Sequence, residues 1–396
     1  MASGYKELYR HKAIPELISS RVMENFGFAL VSGVWSILFY KQGLSDGQIG
    51  ILKGGAVIIT LITSMMIPRI LEKYDESKIF PLCIFTAGAL TLLAGLPVIT
   101  IITGVFLVTR VLNNLKSSAF SVMFRDSFRR VSVYTLAQGT LSGLIAFAWM
   151  IGPVMGGLIM DKFTSEAAMY TSGLILIIAS VVAYIERVPH ITEEVHSSLN
   201  IIQNIKYFTR IKGLKVAYII RSGQDVWWSF IFTFLPLYML QQNYSLFQIG
   251  TALGLTQLPL VLGEFSTLKS LRYLSFKSIF SSCFFTLLVL TIIAYFVNSP
   301  TVVIALLIFG SIPLAFLDPL GDVFFFSLTD KDEEERAYPI FITATSFGEG
   351  IFTLVLGLIL TGIAFQYSFL VVAVFMLILL LTSLRITKVK PERTLE

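Results

Sequence analysis

Eleven ionisable side chains fall inside stretches that are otherwise apolar: the acids Glu24, Asp225, Glu264, Asp318, Asp322 and Glu349, and the bases Arg21, Lys53, Arg110, Lys116 and Arg221. A charge in the middle of a hydrocarbon layer costs about 2.5–3.5 kcal/mol on insertion scales, so such groups belong in a bundle interior or a wet cavity, in pairs. Lys53, Lys116, Glu264 and Asp322 lie near enough to the ends of these stretches for their heads to reach water. That leaves Glu24, Arg110, Asp225, Asp318 and Glu349, a third to half of the way across. Burial disfavours the charged form of a carboxyl group and a nearby Arg favours it, so carboxylates in such settings exchange protons. The chemistry on offer is proton binding and release. Glu24 and Arg110 are expected to face each other, and Asp225, at nearly the place of Glu24 in the second half, to be the exchanging acid. The plainer role for any one of them is an ion pair that locks helices together.

Asn25, Phe26, Trp35, Asn113, Asn114, Trp227, Trp228 and Phe347 share the same stretches and offer an aromatic and amide lining for an amphipathic or cationic small molecule. In a chain with 33 Phe, ordinary packing is the competing role. The three His, His11, His190 and His196, all lie outside the apolar stretches, which excludes H-E-x-x-H chemistry within a membrane. Asp318 with Asp322 or Asp225 keeps an intramembrane aspartyl enzyme open by residue type. Cys83 and Cys283 sit in apolar runs and give neither a disulfide framework nor a zinc spacing. No G-x-x-x-x-G-K-[ST] phosphate loop is present, so ATP-driven pumping is disfavoured, and no cofactor or metal is expected.

The elements that must position these residues are helices crossing a bilayer. With 55% hydrophobic and 14% charged residues, the 396-residue chain is too apolar for a soluble domain. The charge-free runs Ile79–Thr109, Val226–Gly263, Ser278–Leu317 and Gly350–Leu384 each exceed the ~20 residues that cross a bilayer. Each has an internal break, so each covers parts of two spans. Twelve spans are expected at 16–40, 48–68, 79–97, 100–123, 133–160, 167–186, 214–240, 246–268, 276–297, 301–326, 338–361 and 364–384. With both termini inside, only Lys41 and Lys162 of the 30 Lys and Arg fall in outer loops, which sets the orientation. The basic balance is thus a signal of topology, and nucleic acid is not a partner. An integral protein of the plasma (inner) membrane with cytoplasmic termini is expected, monomeric, with lipid, a small-molecule substrate and protons as partners.

The longest connection is amphipathic from Leu199 to Ile211 and is expected to form a short helix on the inner leaflet, with Lys206, Arg210 and Lys212 toward headgroups. It divides the chain into a first six-helix bundle (1–188), a linker (189–213) and a second six-helix bundle (214–396). The two sides are related: Arg21 and Arg221, Ser45 and Ser245, Gln48-Ile49-Gly50 and Gln248-Ile249-Gly250, and Cys83 and Cys283 are each 200 positions apart. A six-span unit duplicated in parallel follows, with a substrate site near the midplane between the halves.

The run Gly152-Pro153-Val154-Met155-Gly156-Gly157 closes the fifth span, and Ala148, Gly152 and Gly156 make a stripe almost without side chains. Such stripes mark close helix contacts in lipid, and Pro153 loosens the helix there. The spelling G-P-x-x-G-G resembles the fifth-helix motif C of antiporters in the major facilitator superfamily. Arg110, Asn113, Asn114 and Ala119 resemble, in part, its fourth-helix motif B, which implies a proton-responsive role for Arg110. The loop Pro68–Lys78 keeps only Glu72, Lys73 and Lys78 of motif A and lacks its glycines and twin arginines. The resemblance implies an all-α membrane protein with twelve helices in two pseudo-symmetric bundles. It also implies alternating access, with proton-driven antiport of a small organic compound as the expected mode. Proton- or sodium-coupled import of a sugar or other metabolite is the alternative within the class, and an intramembrane enzyme the alternative outside it.

Overall fold

A computed structural model describes residues 13–64, 66–128, 131–185, 201–263, 274–329 and 331–386. The chain is almost wholly helical. Eleven helices among the described residues are long and apolar enough to cross a membrane: Pro15–Lys41, Asp46–Ser64, Glu76–Leu93, Ile99–Arg125, Ala137–Lys162, Ser165–Ile185, Leu246–Gly263, Phe276–Phe296, Pro300–Phe326, Arg336–Leu360 and Phe365–Ser383. The twelfth is the near-continuous helix of Lys212–Ser229, Phe230–Phe234 and Leu235–Gln241. Its basic start and its Arg221 and Asp225 leave it less apolar than the rest. It is span seven, and the others are numbered around it. Glu264 lies outside the described residues, as do His11, His190 and His196.

The duplication is visible in local geometry. Among the described residues only Gly43 (φ 88°) and Asn243 (φ 60°) have positive φ, and both close the turn before the second helix of their half. A left-handed backbone favours Gly and tolerates Asn. Two residues later the same capping box is built twice. The Ser45 backbone N–H donates to Gln48 Oε1 at 2.9 Å and the Gln48 N–H to Ser45 Oγ at 3.3 Å. Ser245 and Gln248 repeat this at 2.9 and 3.2 Å. Each pair satisfies two helix-end donors reciprocally. Asp75 and Ser275 likewise cap the third helix of each half. Span one unwinds at residues 31–33, and span seven, 200 positions on, becomes a π-helix at Phe230–Phe234.

The described residues pack as two compact units that do not follow the sequence halves. One takes Met1–Leu44, Ile59–Glu194 and Asn243–Gln257; the other takes Ser45–Ile58, Val195–Gln242 and Leu258–Glu396. Residues 45–58 pack with the second unit and 243–257 with the first. Glycine explains both exchanges. In the first unit, a Cβ on Gly157 would come within 2.5 Å of the Leu246 carbonyl oxygen, and one on Gly250 within 3.0 Å of Gly157 Cα. In the second unit, a Cβ on Gly50 would come within 2.6 Å of Gly357 Cα, and one on Gly54 within 2.6 Å of Leu354 N. Backbones this close exclude side chains, and dispersion rather than hydrophobic force holds such seams in lipid.

The core of the first unit is built from Phe80, Phe120, Phe124, Leu141 and Leu176 with their neighbours. In the second, Phe234, Phe352 and Phe369 gather around Phe230, and Phe234 also meets Phe352. The linker helix, Ile201–Arg210, packs on the helix Lys331–Phe341. Its Phe208 is buried and meets Tyr218 edge-on at 5.9 Å. It is thus fastened to the second unit rather than resting only on lipid, with Lys206 and Arg210 exposed. Lys212 has no described side chain.

Candidate functional site

In span one, Arg21, Glu24, Asn25 and Phe28 fall at i, i+3, i+4 and i+7, which puts them on one helix face. Arg21 Nη1 donates to Glu24 Oε2 at 2.7 Å, and Lys116 Nζ of span four pairs with Glu24 Oε1. Both carboxylate oxygens are thereby engaged by cations. Lys116 is fully buried and Glu24 is 2% exposed. The Lys116 ammonium stands 3.6 Å from the Phe28 ring centroid, and the Arg21 guanidinium 4.8 Å from that of Phe120. These aromatic faces replace part of the lost hydration of two buried cations. Arg21 also reaches Ser117 Oγ at 3.3 Å. Asn25 donates to the Arg21 carbonyl at 2.9 Å and accepts from Trp149 Nε1 at 3.2 Å.

Span seven repeats the spacing with Arg221, Gln224, Asp225 and Trp228. Arg221 donates to Gln224 Oε1, as Arg21 does to Glu24, and the Gln224 amide donates to the Leu317 carbonyl. Arg221 also lies 3.5 Å from the Asp318 carbonyl oxygen and 3.9 Å from Asp322 Oδ1. The Trp228 indole lies beside the Asp318 side chain, and Asp225 lies within the field of Arg221, Asp318 and Glu349. Gly321 permits this close approach, since a Cβ there would lie 3.2 Å from Gln224 Nε2. Gly348 packs against the Ser222 backbone and brings the neighbouring Glu349 to span seven. Ser229 and Thr353 bond to each other one turn further along.

Several expectations are corrected by this geometry. Glu24 takes Arg21 and Lys116 as partners in place of Arg110, whose guanidinium stands 5.5 Å from the Phe106 ring centroid. Lys116 and Lys53 do not reach out to water, being 0% and 4% exposed. Register sets Glu24 against Gln224 and Asn25 against Asp225, so the duplicate of Asp225 is an amide. Trp35 packs into an aromatic cluster with Phe39 and Phe106, and Trp227 is fully buried beside Gly310. Both are core, because periodicity alone does not separate a core face from a cavity face. Phe26, Asn113, Asn114 and Trp228 are half-buried, and Phe347 is exposed and meets Tyr218 at 5.6 Å. In the loop after span two, Lys73 lies 5.4 Å from its neighbour Tyr74 and Lys78 lies 3.9 Å from Asp75. The Glu72 side chain falls outside the described residues. Of the motif C residues, Ala148 is buried, Gly152 and Gly156 face Ala29 and Leu30 of span one, and Gly157 faces span eight. The expected packing stripe thus serves two neighbours. Arg21, Lys116 and Gln224 do not stand out as site residues in the sequence alone, although the Arg-x-x-Glu and Arg-x-x-Gln pairs 200 positions apart carry the signal.

Two bundle-interior charge clusters, a parallel duplication and glycine seams describe a carrier scaffold. The model of the Major Facilitator Superfamily matches residues 17–278 and 270–396. The chain belongs to that superfamily. It is accordingly a multi-pass integral membrane protein of a transporter superfamily. A curated relative, an uncharacterised MFS-type transporter of Methanocaldococcus jannaschii, is 21% identical over 244 residues, 60% of this chain and 62% of the relative's length. Solved structures share the fold. The nucleoside transporter NupG superposes with a TM-score of 0.73 at 15% identity, covering 95% of this chain and 100% of that one. A bacterial homologue of the human lysosomal transporter Spinster gives 0.77 at 10%, covering 95% and 96%. A D-xylose–proton symporter gives 0.74 at 12%, covering 96% and 99%.

Proposed function

We propose that the chain is a proton-coupled secondary transporter that exports a small organic compound. Halves 1–188 and 214–396, joined by the linker 189–213, would rock about the membrane midplane, with the termini cytoplasmic in a plasma membrane. One observation carries the coupling. Asp225, Asp318 and Asp322 gather near Arg221 in apolar spans and Glu349 lies near Asp225, more carboxylates than that one cation neutralises. Like charges in poorly solvated surroundings resist simultaneous ionisation, so a proton is the natural counter-charge. Export is favoured by the G-P-x-x-G-G run, which resembles that of antiporter branches. The Glu24–Lys116–Arg21 cluster then serves as the fixed ion network of the first unit. Asp225 is the first choice for the coupling acid, followed by Asp318 and Glu349, with Arg110 retained as a second responsive group.

Purified protein in proteoliposomes, loaded with a compound panel and given a pH gradient, tests this reading. Compound efflux with counter-movement of protons is expected, and Asp225→Asn should leave compound exchange but remove its dependence on the gradient. Gradient-driven uptake would instead assign the chain to import of a sugar or other metabolite. Transport indifferent to pH in the unmodified protein would overturn proton coupling.

A further inference from the structure

Lys53 has no place in the account above, yet it is one of the more deeply buried cations of the chain. It belongs to span two, but residues 45–58 pack with the second unit. It is 4% exposed, and its Nζ lies 3.5 Å from the Phe232 carbonyl oxygen. Phe232 is in the π-helical segment Phe230–Phe234. A π-turn shifts the backbone ladder by one residue and presents carbonyl oxygen to an outside donor, and such turns recur at functional sites.

The neighbours of Lys53 fix its depth. Gly54 meets Leu354 and Gly350 meets Val57, so span two runs along span eleven past Glu349. Thr353, one turn from Glu349, donates to the Glu349 carbonyl at 2.6 Å and bonds Ser229, one turn from Asp225. Phe232 lies about two helical turns from Asp225, and Leu354, which meets Gly54, about one and a half turns from Glu349, so Lys53 sits one to two turns along the bundle from the levels of both acids. The charged groups on the elements around it are Arg221 and Asp225 of span seven, Asp318 and Asp322 of span ten, and Glu349 of span eleven. The duplicate position is Leu253, which lines an apolar hollow with Leu30, Gly33 and Val34 in the first unit. The repeat thus needs no cation there for packing.

We propose that Lys53 is a removable counter-cation for the Asp225–Glu349 pair. It compensates these carboxylates while span two is seated on the glycines of span eleven, and leaves with span two when that seam parts. Seam closure and carboxylate ionisation then favour each other, and protonation and seam opening favour each other by the same factor, as linkage requires. This rests on the proton-coupling reading and supplies its mechanical step. Lys53 is a positioning residue: it changes which protonation state accompanies which packing, and touches no substrate.

Spin labels on the loop-end tips of spans two and eleven report the seam directly. In the unmodified protein the distance distribution should shift toward the open seam on acidification. Lys53→Met should lose that response while still catalysing compound exchange, and Lys53→Arg should keep it. An unchanged response in Lys53→Met overturns the proposal and leaves proton coupling standing. A seam that responds to pH in a protein whose transport ignores pH overturns the coupling reading while supporting Lys53. A seam indifferent to pH in the unmodified protein overturns the proposal. If Lys53→Met is poorly folded, Lys53→Arg with Glu349→Gln decides: an undiminished pH response there overturns the Lys53–Glu349 link.

Discussion

The faces Arg21-x-x-Glu24-Asn25-x-x-Phe28 and Arg221-x-x-Gln224-Asp225-x-x-Trp228 share one geometry and differ in where the acid sits. In the first, the carboxylate occupies the position that the Arg grips, and a buried Lys closes the other side. In the second, an amide occupies that position, and the acid is moved one residue along toward Asp318 and Glu349. Moving an acid by one residue turns it about 100° around a helix axis. The same scaffold thereby yields a closed ion network in one unit and an acid-rich cluster in the other. Duplication preserved the Arg, the caps and the turns, and the difference in charge balance separates a structural cluster from one suited to exchange.

The comparison breaks most visibly at Glu24. Glu24→Gln leaves Lys116 and Arg21 buried without their carboxylate, and loss of one partner of a buried pair costs about 3–5 kcal/mol. A large drop in thermal midpoint in detergent is expected, with Lys116→Met in the same chain restoring part of it. If the single variant melts unchanged, the first cluster is not a closed network. Asp225→Asn should be nearly neutral for the midpoint and severe for coupling, read as loss of gradient-driven transport with exchange retained. An equal stability loss at both sites would erase the distinction between the clusters.

The seams give a third contrast. Gly156→Leu places a side chain where the Leu30 carbonyl lies, and Gly357→Leu does so at Gly50. Both should stop transport at an overpacking cost of about 1–3 kcal/mol, and normal transport by either would remove that seam from the cycle. The smallest effect is expected under the aromatic rings. Phe28→Leu removes the ring beneath Lys116, a loss of about 0.5–2 kcal/mol in stability. Trp228→Leu should instead alter the pH profile of transport, because its indole lies beside Asp318. A pH-profile change in the first and none in the second would reverse the roles assigned here.

Much of the architecture was legible in the chain. Charge-free runs, the basic asymmetry and the 200-residue offset gave the twelve spans and their pairing, because lipid allows little besides apolar helices. The partners of the intramembrane charges were not legible. Glu24 was matched to Arg110 because the two are opposite charges at similar depth, whereas helix rotation turns Lys116 toward it. Depth is written in sequence position, but azimuth depends on how helices rotate against one another. The same limit hid the exchange of residues 45–58 and 243–257, since their glycines signal a close contact without naming the partner. Span seven is less apolar than its neighbours because Lys212, Lys215, Arg221 and Asp225 sit on it.

Trp149 and Trp228 have a practical consequence. The chain has four tryptophans. Trp35 and Trp227 are packed into core and surrounded by hydrocarbon. Trp149 donates its indole N–H to Asn25, beside Glu24, and the Trp228 indole lies beside Asp318. Each charge cluster therefore carries an intrinsic fluorophore whose emission depends on its polar surroundings. With Trp35, Trp227 and one of this pair replaced by Phe, the other becomes a site-specific optical reporter. Changes at the two charge clusters become separately observable in the unlabelled protein, on the timescale of a stopped-flow mixing experiment.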